Sequence, residues 1–127
     1  MSSPIVFISH NRLKAGMLEK FTDFYRTEVE VIKAEKPGTL THLAYVNEVG
    51  TEVSFVHVLA DADAFDAHLQ GVQARVDASA TFIESRGFEI YGAPTAATVE
   101  TMRGHAKTNQ VPLRILPDQV GGYLRLG

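Results

Sequence analysis

The side chains of this sequence best suited to chemistry near neutral pH are its five histidines, since no cysteine is present to serve as nucleophile or thiolate ligand. His42 and His57 sit in two alternating runs, residues 39–47 and 51–60, joined by a tight connection at Glu48-Val49-Gly50. The hairpin so closed sets Leu40 opposite Leu59, His42 opposite His57, Ala44 opposite Phe55 and Val46 opposite Val53. Directly opposed side chains have Cβ atoms about 4.5–5.5 Å apart, so the two rings touch. Two neutral imidazoles there could grip a ligand or a metal; the plainer alternative is a stacked pair with backbone or water contacts. No spacing ties a third ligand to the pair, so neither a metal site nor a cofactor is expected. His68 follows Phe65 by three residues and precedes Val72 by four, at the edge of an apolar helical stripe. It could accept a proton from a phenol, or could simply bond a backbone carbonyl. His10, Asn11 and Arg12 are read as leaving the first strand where the chain turns toward a helix, with Asn11 facing a ligand. Tyr25, Tyr45, Tyr91 and Phe55 are candidates to line an aromatic-sized cavity, and aromatics at such spacings also serve as plain core. His105, in a polar helix beside Lys107, is expected to be exposed.

The elements that must position these residues follow from periodicity. Ile5-Val6-Phe7-Ile8 reads as a strand. Leu18, Phe21, Tyr25, Val29 and Ile32 fall three or four apart and mark one face of a helix, which Pro37-Gly38 stops. After the hairpin, Asp61 or Asp63 can cap a second helix whose buried face is Phe65, Leu69, Val72, Val76 and Ile83, broken near Gly71 and ended by Gly87. Phe88-Glu89-Ile90-Tyr91 is a fourth strand. Residues 94–110 read as a helix, residues 111–116 as a short edge strand or arm between prolines, and residues 121–126 as an apolar tail. The order is that of a ferredoxin-like βαββαβ sandwich, an α+β fold, with one parallel contact expected between the first and third strands. One domain is expected over residues 1–127, with a core over 1–93 and a C-terminal helix and arm over 94–127. Both faces of the hairpin are apolar, which calls for helices on one side and a second copy on the other, hence a homodimer.

Composition removes several classes of function. Twelve basic against fifteen acidic residues, a net charge of −3, offer no footprint for nucleic acid or an anionic membrane surface. No apolar run approaches the roughly 20 residues of a membrane span, and Met1-Ser2-Ser3-Pro4 has no basic start of a signal peptide. A cytoplasmic location is the expectation. Nucleophile elbows, phosphate loops and dinucleotide fingerprints do not occur.

The order of elements, the Pro37-Gly38 break and the stretch Asp61-Ala62-Asp63-Ala64-Phe65-Asp66-Ala67-His68-Leu69 resemble the antibiotic-biosynthesis-monooxygenase family over roughly residues 4–91. The resemblance implies a dimeric α+β barrel in which two ferredoxin-like sheets pack together. It also implies oxidation of a small aromatic ligand, without a cofactor, by a monooxygenase or quinol oxidase using the helical histidine, His68; the hairpin pair His42 and His57 joins it as catalytic candidates from the register alone. A non-catalytic ligand-binding module or a structural dimer of the same fold is the alternative. The haem-degrading and polyphenol-oxygenating branches lean on a tryptophan, and this sequence has none, so neither detailed mechanism carries over.

Overall fold

The first strand runs further than its apolar start implies. The computed structural model describes residues 3–125 and extends β1 over Ile5–Leu13, through the polar residues read from sequence as its exit. Alternation explains why: Ile5, Phe7, Asn11 and Leu13 are buried on one face, while His10 and Arg12 turn to the other and pair with Glu89 and Glu84. Helix α1 spans Leu18–Glu35 and buries Phe21 and Ile32. Strands β2 (Thr39–Val46) and β3 (Glu52–Leu59) form the hairpin, with His42↔His57, Ala44↔Phe55 and Val46↔Val53 in register. Only its open end departs from expectation. Thr39, not Leu40, faces Leu59, because a bulge between Thr39 and Thr41 absorbs one residue and leaves Leu40 exposed.

The second helical stretch is two helices, α2 (Ala62–Leu69) and α3 (Val72–Ser79), separated at Gly71, whose φ of 78° is left-handed. Asp61 caps α2 through the Ala64 amide. The helical region ends before Ile83, which with Gly87 belongs to β4 (Ile83–Tyr91) rather than to a helix. Ile83 and Gly87 are therefore corrected from the expected helix: a β-strand also buries an apolar residue at its start, and spacing alone did not separate the two. Helix α4 (Ala96–Asn109) and β5 (Leu113–Leu116) complete the chain.

The sheet order is β2-β3-β1-β4-β5, with α4 linking the last two strands. β1 is antiparallel to both β3 and β4, so the expected parallel contact between the first and third strands is wrong. Each helical crossover returns the chain in the direction in which it left, and the hairpin then reverses it, so β3 must oppose β1. The parallel pair is β4 with β5, which places residues 113–116 at the edge of their own sheet. Residues 117–125 have no regular structure and expose Val120 and Tyr123; Leu126 of the predicted tail lies outside the described residues.

The main core gathers Ile5, Phe7, Leu59, Phe65, Ile90 and Met102 between sheet and helices. Phe65 is fully buried, and its ring packs 5.1 Å from that of Phe7. Replacing Phe65 by alanine is expected to cost about 3–5 kcal/mol of unfolding free energy, since the cavity cannot collapse within so many rigid neighbours. Urea denaturation checks this, and a loss under about 1 kcal/mol contradicts it. The approach of α2 to the sheet depends on Gly38, where an added Cβ meets that of Ala64 at 2.6 Å. That close seat brings His68 against the first residue of β2.

Candidate functional site

Three imidazoles meet beneath the helices. His42 of β2 and His57 of β3 touch edge to face at 4.4 Å between centroids, and His68 of α2 stands 5.1 Å from His57 and 6.0 Å from His42. The histidine-bearing face of the hairpin is the one the helices cover. Each ring is held through Nδ1 by a different element. His57 Nδ1–H donates to the Phe7 carbonyl at 2.9 Å, which fixes its tautomer. His68 Nδ1 lies 2.8 Å from the Thr39 hydroxyl, and His42 Nδ1 lies 2.8 Å from the Tyr25 hydroxyl, which also donates to the His42 carbonyl at 3.3 Å.

Burial dominates the electrostatics. It pushes His42 down to about 4 and His68 down to about 3, with the Arg75 guanidinium adding to both shifts. His57, the most enclosed, is lowered well below the usual histidine value by burial and then by its two histidine neighbours. All three are neutral at pH 7. Burial likewise raises Tyr25 to about 12, keeping its hydroxyl protonated. Arg75 and Lys36 approach from the end of α2. Arg75 donates to the carbonyls of His68 and Gln70, and Lys36 to those of Ala67 and Gln70, satisfying groups that the Gly71 break would leave open.

The rings open onto a cavity of about 570 Å³ between sheet and helices, a volume suited to a small organic ligand. Phe7, Tyr25, Phe55 and Phe88 supply aromatic wall, and Ser9, Asn11 and Ser85 a polar patch. Asn11 donates to Ser9 Oγ, while Ser85 Oγ is buried with no hydrogen-bond partner among the described residues. Met102 and His105 of α4 close one side, so the C-terminal helix builds part of the wall. His105 is half-buried there, a correction to its expected exposure, because it lies on the same face of α4 as the buried Thr98, Met102 and Ala106.

The structure therefore brings together His42, His57, His68, Asn11, Tyr25 and Phe55 of the residues singled out from sequence. Tyr45 and Tyr91 stand on the other face of the sheet. Strand parity puts them there: Tyr45 neighbours Ser54, and the Tyr91 hydroxyl donates to Glu89. Sequence reasoning missed Thr39, Arg75 and Ser85. None carried a sequence signal: Ser85 reaches the patch only through the pairing of β4 with β1, which sets it opposite Asn11.

No family model and no curated protein matches this sequence. Solved structures do. A cofactor-independent oxygenase from Streptomyces nogalater, SnoaB, matches with TM-score 0.60 at 17% identity, over 75% of this chain and 97% of its own. A candidate antibiotic biosynthesis monooxygenase from Bacteroides thetaiotaomicron matches with TM-score 0.57 at 18% identity, over 74% and 90%. The fold is that of the antibiotic-biosynthesis monooxygenases. MupZ from Pseudomonas fluorescens is similar over more of this chain, with TM-score 0.72 at 18% identity and 94% of each chain covered. A span that long takes in most of the C-terminal addition as well as the ferredoxin-like core. No helix among the described residues is long and apolar enough to cross a membrane.

Proposed function

We propose that this protein binds a small hydroxyaromatic compound in the cavity between helices and sheet and oxidises it with molecular oxygen, as a monooxygenase that needs no flavin or metal. The observation that carries the reading is the open, aromatic-walled cavity ending on three neutral imidazoles. His68 takes the phenolic proton. Its imidazole is a weak base in the empty cavity, and the phenolate forming beside it supplies the opposite charge that favours the imidazolium. The electron-rich phenolate passes one electron to oxygen. The resulting radical pair combines at a ring carbon bearing hydrogen, and the proton returns from His68 to give a hydroperoxide. Loss of water then leaves a carbonyl, so one oxygen atom enters the quinone product and the other leaves as water. His57, fixed in one tautomer, orients the hydroxyl, and the pair of His42 and Tyr25 can relay a proton.

The reading is tested by anaerobic titration with naphthols, quinols and polyphenols, followed by admission of oxygen. Saturable binding with quinone formation on aeration is expected. Binding without oxidation favours a ligand-binding module of the same fold, and neither leaves a structural dimer. The active form is proposed to be a homodimer paired through the sheet face that carries Val6, Ile8, Val56, Leu43 and Tyr45, of which Leu43 and Tyr45 are 45% and 61% exposed. Sedimentation at micromolar concentration is expected to give twice the mass of 13.9 kDa, and a monomer there removes the pairing.

A further inference from the structure

The arrangement of the three imidazoles has a consequence beyond proton transfer. One ring nitrogen from each of His42, His57 and His68 lies within 4.8 Å of the others. Nδ1 of each is engaged by Tyr25, Phe7 or Thr39, and no hydrogen bond among the described residues uses any Nε2. The Phe7 carbonyl can only accept, so His57 Nε2 carries a lone pair. Both hydroxyls can accept as well as donate, and with Tyr25 donating to the His42 carbonyl, His42 and His68 can take the same tautomer as His57. In that tautomer the three Nε2 lone pairs share one buried place, where they repel each other and none can donate to another. A cation satisfies all three.

We propose that His42, His57 and His68 bind one divalent transition-metal ion of the zinc type through their Nε2 atoms, with the fourth coordination position open to the cavity. An all-imidazole set suits zinc, cobalt, nickel, copper or iron and not magnesium or calcium, which require oxygen ligands. Tetrahedral zinc with Zn–N bonds of about 2.0–2.1 Å needs nitrogens about 3.4 Å apart, a contraction that small side-chain rotations supply. The partners on Nδ1 are the outer-shell groups such sites use to aim their rings. They come from α1, β1 and the start of β2, so the fold itself orients the ligands. Burial keeps the rings neutral, the form that ligates.

The charges facing the cluster are mixed. Arg75 and Lys36 work against a cation, while Glu28 and Glu35 lie close enough to Arg75 to offset part of its field. An anionic oxygen in the open position, hydroxide or a bound phenolate, lowers the charge of the complex and gains from Arg75. The inference stands apart from the oxidase reading, because it requires no turnover. The two states exclude each other at Nε2, where a bound ion leaves no place for a proton.

The test uses the full, tag-free chain after removal of metal by a chelator. Titration with Co²⁺ is followed by its visible d–d absorption, and Zn²⁺ is then used to displace it. One ion per chain with the spectrum of four-coordinate cobalt is expected, at a dissociation constant of about 10 µM or tighter. His57→Ala and His68→Ala are each expected to weaken binding by about 10²-fold or more. Thr39→Val removes only the group that orients His68 and should cost roughly 10-fold. His10→Ala, on the opposite face, should cost nothing. Absence of stoichiometric binding at about 1 mM overturns the site. So does equal weakening by His10→Ala. Where a histidine variant fails to fold by circular dichroism, Thr39→Val and Tyr25→Phe decide the matter. Unchanged affinity in both overturns the proposal.

Discussion

Replacing His68 by alanine is expected to lower kcat/KM for a hydroxyaromatic substrate by about 10²-fold or more, the range for losing a positioned general base. The substitution removes the ring that α2 presents to the cavity and leaves the aromatic wall of Phe7, Tyr25 and Phe55 in place. Anaerobic binding should therefore change far less than turnover, and oxygen uptake measured beside ligand titration separates the two. Full activity in the variant removes His68 from the mechanism. The pH profile adds an independent check. Burial holds His68 at about 3, so its proton-accepting form persists throughout the neutral range, and kcat/KM should show no inflection between about pH 6 and 7. An ordinary exposed histidine would show one.

The second large effect is on stability in acid. In the unfolded chain His42, His57 and His68 protonate near the ordinary 6.5, while in the folded chain burial lowers all three, His42 to about 4 and His68 to about 3. Below pH 6.5 the unfolded state thus binds more protons, and stability falls as pH falls. Each histidine contributes about 1.4 kcal/mol per pH unit within that window, so three acting together approach about 4 kcal/mol per unit. Between about pH 6.5 and 4.5 the loss is of the same order as the whole stability of an ordinary domain, about 5–15 kcal/mol. The chelator-treated protein is expected to unfold near pH 4–5, and urea denaturation at a series of pH values measures the slope. His57→Gln should remove roughly a third of it. A stability that holds within about 1 kcal/mol from pH 7 to pH 5 contradicts the burial of the cluster as described.

Local signals in the sequence were enough to determine the order of the elements and most of the hairpin. Gly50 and the alternation around it set His42 against His57, and Pro37-Gly38 ended α1 where the structure ends it. These are near-neighbour effects, decided by φ/ψ preference and a period of two or of 3.6, and they do not need the rest of the chain. What remained open was everything that depends on residues far apart in sequence. Ile83 fits a helical stripe and a strand start equally well, and only pairing with Leu13 places it in β4. The polar run His10-Asn11-Arg12 reads as a loop until β3 and β4 flank it on both sides. For the site, parity predicted that His42 and His57 share a face, but both faces of the hairpin are apolar, so parity was silent on which one lies beneath the helices. Tertiary packing decided it, through the fit of Gly38 against Ala64 that seats α2 over β2 and delivers His68 to the pair. The same packing turned α4 into a wall of the cavity and brought Arg75 and Ser85 to it. A third imidazole, a rim charge and a buried hydroxyl have no fixed spacing from the residues they join, because it is the crossing of elements in space that sets their distance.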